Sequence, residues 1–215
     1  MINSKIKILI ADDHAIVREG LKQIVAEEPD MIVVGEAGSS NELFDLLSKE
    51  NFNIVILDIN MPGKSGLEAL KDIKHQYPEL PVLILSMYSE DHYGLRSLKA
   101  GASGYLKKAS APEDLVSAIR KIINGKKFIS PALAEKLADN ISKTKTQFLH
   151  ENLSDREYQI MCSIASGKTA EEIADELSLS INTIYTYRNR ILEKMSMKSN
   201  VELTQYVLQN KLIEI

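Results

Sequence analysis

The stretch I6-K-I-L-I-A-D-D-H-A-I-V-R-E-G20 passes from an apolar run into two adjacent carboxylates, Asp12 and Asp13, and then into an amphipathic segment. A short apolar run that ends in like charges reads as a strand leaving a core toward a site that requires negative charge. Outward from it, the same alternation recurs. Apolar runs at Ile6 to Ala11, Met31 to Val34, Asn53 to Leu57, Pro81 to Leu85 and, more weakly, Ser103 to Leu106 alternate with helix-like segments at 14–26, 40–49, 65–76, 90–100 and 111–124. Runs rich in Ile, Val and Leu without strict alternation suit parallel strands covered on both faces. Five such β-α units predict an α/β fold with a doubly wound, five-stranded parallel sheet.

The 215 residues suffice for one large domain or two small ones. A net charge of −4 gives no global sign of a nucleic-acid binder, so any DNA contact needs a locally basic surface. The single cysteine, Cys162, excludes an intramolecular disulfide and a Cys-based zinc site, which fits a reducing cytoplasm. No segment approaches the roughly 20 apolar residues of a membrane span, so no membrane association is expected.

Ser110 and Glu113 have capping-box spacing at the start of the fifth helix, and Gly125 ends it. Pro131 to Ile141 reads as one more helix, and the polar S142-K-T-K-T-Q147 as a linker. From Leu153 onward the pattern is wholly helical. The organisation expected is a first domain over 1–125, a connecting segment over 126–149 and an all-α domain over 150–215.

Doubly wound sheets bind ligands at the carboxyl ends of their strands, where strand order reverses. The first run ends at Asp12 and Asp13 and the third at Asp58, so three carboxylates converge. A hard divalent cation relieves their repulsion, and Mg2+ suits one or two carboxylates plus water. The fourth run ends at Ser86 and the fifth is followed by G104-Y-L-K-K108, adding a hydroxyl and an ammonium. Carboxylate nucleophile, Mg2+, hydroxyl and lysine together compose a phosphoryl-transfer site, with Asp58 forming an aspartyl phosphate. His14 beside the acids reads as a solvated residue at a helix start, and Gly35 to Gly38 has no nucleotide-loop spacing.

With D12-D13, D58-I-N-M-P-G63, S86 and G101-A-S-G-Y-L-K-K108, the first half resembles the receiver domain of bacterial two-component response regulators, a flavodoxin-like fold. The resemblance implies that Asp58 accepts phosphate from a sensor histidine kinase or phosphotransfer protein. It implies that Asp12, Asp13, Asp58 and the main-chain carbonyl of Asn60 hold Mg2+, that Ser86 bonds the phosphoryl oxygen and that Lys108, rather than its rival Lys107, pairs with it. Tyr105 is either a packing residue or the aromatic switch that follows Ser86. Two residues depart from the common pattern: Ala109 replaces a frequent Pro, and Met87 is bulky where many receivers have a small residue.

In the helical half, capping-box spacing at Ser154 and Glu157, Thr169 and Glu172, and Ser199 and Glu202, with Ser180 as a further cap, delimits four helices. The second and third are separated by a short turn, the helix-turn-helix arrangement. At about 100° per residue, Ile184, Tyr187, Ile191 and Met195 share one face of the third helix and Tyr185, Thr186 and Asn189 the opposite one, flanked by Arg188 and Arg190. Uncharged hydrogen-bonding groups suit base edges, and flanking cations suit phosphates. Arg188, Arg190, Lys194 and Lys198 face only one acid, Glu193, over 181–200.

L153-S-D-R-E157, E172-I-A174 and the last two helices resemble the LuxR-type DNA-binding domain of the NarL/FixJ family, and T186-Y-R188 with K198-S-N-V-E-L-T204 its GacA-type branch. The resemblance implies base contacts from Tyr185, Thr186 and Asn189 and backbone contacts from Lys168, Arg188, Arg190 and Lys198. Val201 and Val207 are core residues or pair across a dimer. The function implied is that of a cytoplasmic transcription factor, dimeric on double-stranded DNA when Asp58 is phosphorylated, with phosphate relieving inhibition. It is not an enzyme beyond phosphoryl transfer to itself and its own dephosphorylation. An Asp-nucleophile phosphatase is the rival, although Asn60 stands where such enzymes carry a second Asp; a receiver acting through protein contacts alone is another.

Overall fold

The apolar runs become strands because helices cover both faces of the sheet they form. In the computed structural model, which describes residues 5–61, 64–88, 90–142, 148–210 and 212–213 (91, 92, 136 and 139–142 by main chain alone), the chain divides into two compact units, 1–139 and 140–215. Pro62, Gly63 and residues 143–147 of the expected linker lie outside the described residues.

The first unit holds β1 (Ile6–Ala11), α1 (Ala15–Ala26), β2 (Met31–Ala37), α2 (Ser40–Lys49), β3 (Ile54–Asp58), α3 (Gly66–Gln76), β4 (Val82–Ser86), α4 (Glu90–Lys99), β5 (Gly104–Lys107), α5 (Ala111–Ile123) and α6 (Pro131–Ser142). The sheet is all parallel in the order β2-β1-β3-β4-β5. Every residue of β3 and β4 is buried, which is why their sequences lack polar alternation. Ile8, Ile10, Ile54, Ile56, Leu83 and Leu85 pack with Leu115, Ala118, Ile119 and Ile122 of α5 in one apolar layer. Because the chain leaves β1 to one side for β2 and returns on the other for β3, strand order reverses at β1 and β3, above which Asp12 and Asp58 lie.

Three local features differ from the sequence reading. β2 runs on to Ala37: the pairing with β1 skips Val34 and resumes with Gly35 opposite Leu9, so the strand continues past the apolar run. Ser110 caps nothing: a 3-10 turn over Lys108–Ser110 enters α5 directly, so Ser110 is already near-helical and lacks the extended backbone that a cap requires. Ser65 and Glu68, by contrast, form a capping box at α3. Gly125 does sit in the left-handed region after α5, with φ +75°.

In the second unit a 3-10 turn (Leu149–Asn152) precedes α7 (Asp155–Ala165), α8 (Ala170–Leu177), α9 (Ile181–Lys194) and α10 (Asn200–Gln209). α7 packs against α8, α9 and α10, and α8 against α9. Ser154 with Glu157 and Thr169 with Glu172 form capping boxes, and Ser180 caps α9. Ser199 accepts from the Glu202 N–H, but the Glu202 carboxylate turns to the Lys198 N–H, so that box is not reciprocal. No helix among the described residues is long and apolar enough to cross a membrane.

Gly66 decides how β3 meets α3: its N–H donates to the Ile59 carbonyl at 2.8 Å, and a Cβ there would lie 1.9 Å from the Asp58 carbonyl oxygen. Gly66→Ala is expected to destabilise the chain by about 1–3 kcal/mol through overpacking. Gly20→Ala, where a Cβ meets nothing within 4 Å, is expected to stabilise α1 by about 0.5–1 kcal/mol. Urea unfolding followed by circular dichroism distinguishes the two.

Candidate functional site

Asp58 closes β3, Asp12 and Asp13 follow β1, and Lys108 opens the turn after β5. Lys108 Nζ lies 2.6 Å from Asp12 Oδ2 and 2.8 Å from Asp58 Oδ2. Asp12 Oδ1 accepts from the His14 N–H at 2.9 Å, and the Asp12 carbonyl accepts from Arg18 at 2.7 Å. Asp58 Oδ1 is buried with no aligned hydrogen-bond donor among the described residues. One ammonium therefore serves two buried carboxylates, and the Asn60 main-chain N–H is the other group that favours the Asp58 charge.

The imbalance shows in the protonation energetics. Burial, and then repulsion from Asp12, raise the Asp58 pKa to about 6 against the pull of Lys108. Burial works against the Lys108 ammonium, but Asp58 and Asp12 outweigh it and lift its pKa above the usual lysine value. Asp12, Asp13, His14 and Asp58 each offer one ligand atom, all within 4.8 Å of one another. His14, expected to be merely solvated, is exposed but places Nδ1 2.7 Å from Asp13 Oδ1. Three carboxylates with an open oxygen and no thiolate are the donor set of a hard, oxygen-seeking cation.

Ser86 ends β4, and its Oγ accepts from the Tyr88 N–H at 3.2 Å. Tyr105 is buried; its hydroxyl donates to the Tyr88 carbonyl at 2.9 Å and interacts with Ser86, and burial holds its pKa above the ordinary phenol value. The tyrosine is thus a core residue that also hydrogen-bonds the loop after Ser86. Lys107 remains on the strand, half-buried. Met87 is 66% exposed, and its side chain is not packed into the site.

On α9, Ile184, Ile191 and Met195 are buried as the helical spacing requires, but Tyr187 is only half-buried. With Asn182, Thr183, Thr186 and Arg190 it lines a shallow recess of about 310 Å3. Asn182 and Thr183 were not singled out from the sequence, although Asn182 lies on the same polar face as Thr186 and Asn189. Tyr185 is 49% exposed, and Asn189 and Arg190 are exposed.

The basic residues have unequal freedom. Arg188 donates to Asn200 at 2.7 Å and to Asn189 at 3.3 Å. Lys168 is paired with both carboxylate oxygens of Glu176, so a phosphate there must compete with that acid. Lys194 binds Glu157 of α7 at 2.7 Å; burial opposes the Glu157 charge, yet Lys194 and the Ser154 cap hold its pKa below the usual carboxylate value. Its role is to fasten α9 to α7. Lys198 is exposed. Val207 is buried and Val201 is 67% exposed, which separates two residues that the sequence left equivalent.

A cluster of acids and a lysine at the switch point of a parallel sheet, followed by a helix-turn-helix unit, is the architecture of a two-component response regulator. Residues 8–120 match the response regulator receiver domain family, and residues 151–207 match the luxR family of bacterial regulatory proteins. The chain belongs to the NarL/FixJ family of response regulators, with a LuxR-type DNA-binding domain. It is 35% identical to the response regulator GacA of Pseudomonas aeruginosa over 97% of this chain and 98% of the relative. It is 36% identical to the oxygen regulatory protein NreC of Staphylococcus epidermidis over 97% of this chain and 99% of that one. Among solved structures it resembles RcsB of Salmonella enterica serovar Typhimurium, bound to promoter rprA in the presence of phosphomimetic BeF3-. That likeness has a TM-score of 0.65 and 26% identity, covering 95% of this chain and 99% of the RcsB chain.

Because the folded state holds the Asp58 proton more tightly than the unfolded one, this group's contribution to stability falls as pH rises from about 3.8 toward about 6. In chelator-treated protein, Asp58→Asn is expected to be more stable than wild type at pH 7, by up to about 3 kcal/mol. The difference should shrink as the pH is lowered below 5, roughly the middle of that window. Urea titrations across that range check it.

Proposed function

We propose that this protein is a transcription factor switched by phosphorylation of Asp58. The observation that carries the reading is the Asp58 carboxylate itself: one oxygen held by Lys108, the other buried without an aligned donor, and Ser86 on the next strand. A carboxylate oxygen forms a bond to phosphorus while the P–N bond of a phosphohistidine, on a sensor kinase or phosphotransfer protein, breaks. The imidazole departs with the bonding pair and takes up a proton. Lys108 moves toward the new phosphoryl group, and Ser86 donates to one of its oxygens. Mg2+, when bound, neutralises charge on the phosphoryl oxygens; Asp12, Asp13, Asp58 and the Asn60 carbonyl are the groups that would hold it. The same groups support slow return of phosphate to water, and no other turnover is assigned to the chain.

We infer domain limits of 1–125 for the receiver and 150–215 for the DNA-binding domain, joined by 126–149, in a cytoplasmic protein. Tyr185, Thr186 and Asn189 face base edges, and Arg190, Arg188 and Lys198 contact the DNA backbone; Lys168 joins them only if it leaves Glu176. Exposed Val201 fits pairing of two DNA-binding domains on a two-fold site. Phosphate relieves an inhibited resting state.

Mg2+ is expected to raise the thermal midpoint of wild type, and Asp13→Asn to lose most of that rise; scanning fluorimetry against Ca2+ and chelator controls reads it. With acetyl phosphate and Mg2+, wild type is expected to select specific genomic fragments that Asp58→Asn does not. Equal selection by both proteins contradicts the switch. Arg190→Ala should lower DNA affinity and reduce the salt slope by about one. Lys194→Ala is expected to leave that slope unchanged while costing about 1 kcal/mol of stability.

A further inference from the structure

The segment after α5 is not a free tether. The Tyr105 N–H donates to the Phe128 carbonyl at 3.0 Å, and the Phe128 N–H donates to the Ser103 carbonyl at 3.0 Å, so Phe128 extends the sheet beyond β5 by one bridged residue. Gly104 admits this approach: a Cβ there would lie 2.8 Å from the Phe128 carbonyl oxygen and 2.9 Å from its side chain. Lys127 Nζ donates to the Ala102 carbonyl at 2.6 Å, and the Phe128 ring packs against the apolar layer beneath α5.

Two residues on, Ser130 begins α6 and is fastened to α4. Its hydroxyl donates to the Glu90 carboxylate and accepts from the Leu133 N–H at 3.0 Å. Leu133 is buried, and a Cβ on Gly94 of α4 would lie 2.7 Å from its side chain. The far end of these contacts is the Ser86 loop: Tyr88 receives the Tyr105 hydroxyl, and its ring lies 5.1 Å from that of Tyr93 on α4. One unbroken set of hydrogen bonds and packed side chains thus runs from Ser86 through Tyr88, Tyr105 and α4 to residues 127–133.

We propose that residues 127–133 form a latch that reads the state of Asp58. Docked on the β5 edge and on the start of α4, the latch holds α6 against the receiver. When Ser86 turns to the phosphoryl group, it draws on Tyr88 and Tyr105, and the Tyr105–Phe128 and Glu90–Ser130 contacts loosen together. A two-state element biased from one end is what coupling between the domains requires, and this one lies on the segment that leads to the DNA-binding half. The inference rests on Asp58 being the phosphoacceptor.

Hydrogen exchange of the full-length protein, read by mass spectrometry with and without acetyl phosphate and Mg2+, tests the latch. Phosphorylated wild type is expected to exchange the amides of 126–133 about fivefold faster, the equivalent of losing one hydrogen bond, and Asp58→Asn to show no change. Ser130→Ala and Glu90→Gln are each expected to produce the same acceleration without phosphodonor, while β1 and β3 stay protected. A chain that gains the mass of a phosphoryl group at Asp58 but keeps 126–133 protected overturns the latch alone. No gain of mass overturns the phosphoacceptor reading and the latch with it. Unchanged exchange at Phe128 in both variants shows that the Ser130 pin holds nothing, and the proposal fails.

Discussion

Two buried carboxylates share a single ammonium above the sheet, and the remainder of the first unit is arranged around that imbalance. Asp12 and Asp58 are each about 2% exposed, and Lys108 bridges them. An excess negative charge at that depth is costly in isolation. It persists because the strand ends that deliver it are buried and cannot retreat: the last four residues of β1 and all of β3 lie in parallel register within the sheet. Gly66 brings α3 directly against the end of β3, so the Asp58 main chain has little room to relax. The site holds an unmet negative charge that a bound cation would neutralise.

The strands and the acids were legible because their signals are local. A run such as I54-V-I-L-D58 reveals burial on both faces by its composition, and an acid at its end marks the carboxyl edge. Features that depend on through-space partners left no such trace. Ser110 has capping-box spacing, but the 3-10 turn before it removes the extended backbone a cap needs. The close approach of Gly66 to Asp58, the single bridge between Phe128 and Gly104, and the pairing of Lys168 with Glu176 are contacts between residues whose spacing follows no period. The helical angle of Tyr187 predicts the buried face, yet the residue sits where that face meets the recess and is half-buried.

The DNA-binding half follows the same logic at the surface. Positive charge over 181–200 looked like one reservoir, but the structure divides it by partner. Lys194 fastens α9 to α7 through a buried Glu157, whereas Arg190 and Lys198 remain exposed. Under the proposed DNA-binding role, stability and recognition draw on different cations of the same segment. Separating Val201 from Val207 likewise distinguishes a surface residue of α10 from one of its core anchors.

The claim on which the account depends is that Asp58, among three clustered acids, is the nucleophile. Treating the protein with acetyl phosphate and Mg2+, reducing the acyl phosphate with borohydride and mapping the resulting homoserine by peptide mass spectrometry tests it most directly. Conversion at Asp58, absent when Mg2+ is chelated, is the expected result. Conversion at Asp12 or Asp13, or none with a competent phosphodonor, would contradict the account at its root.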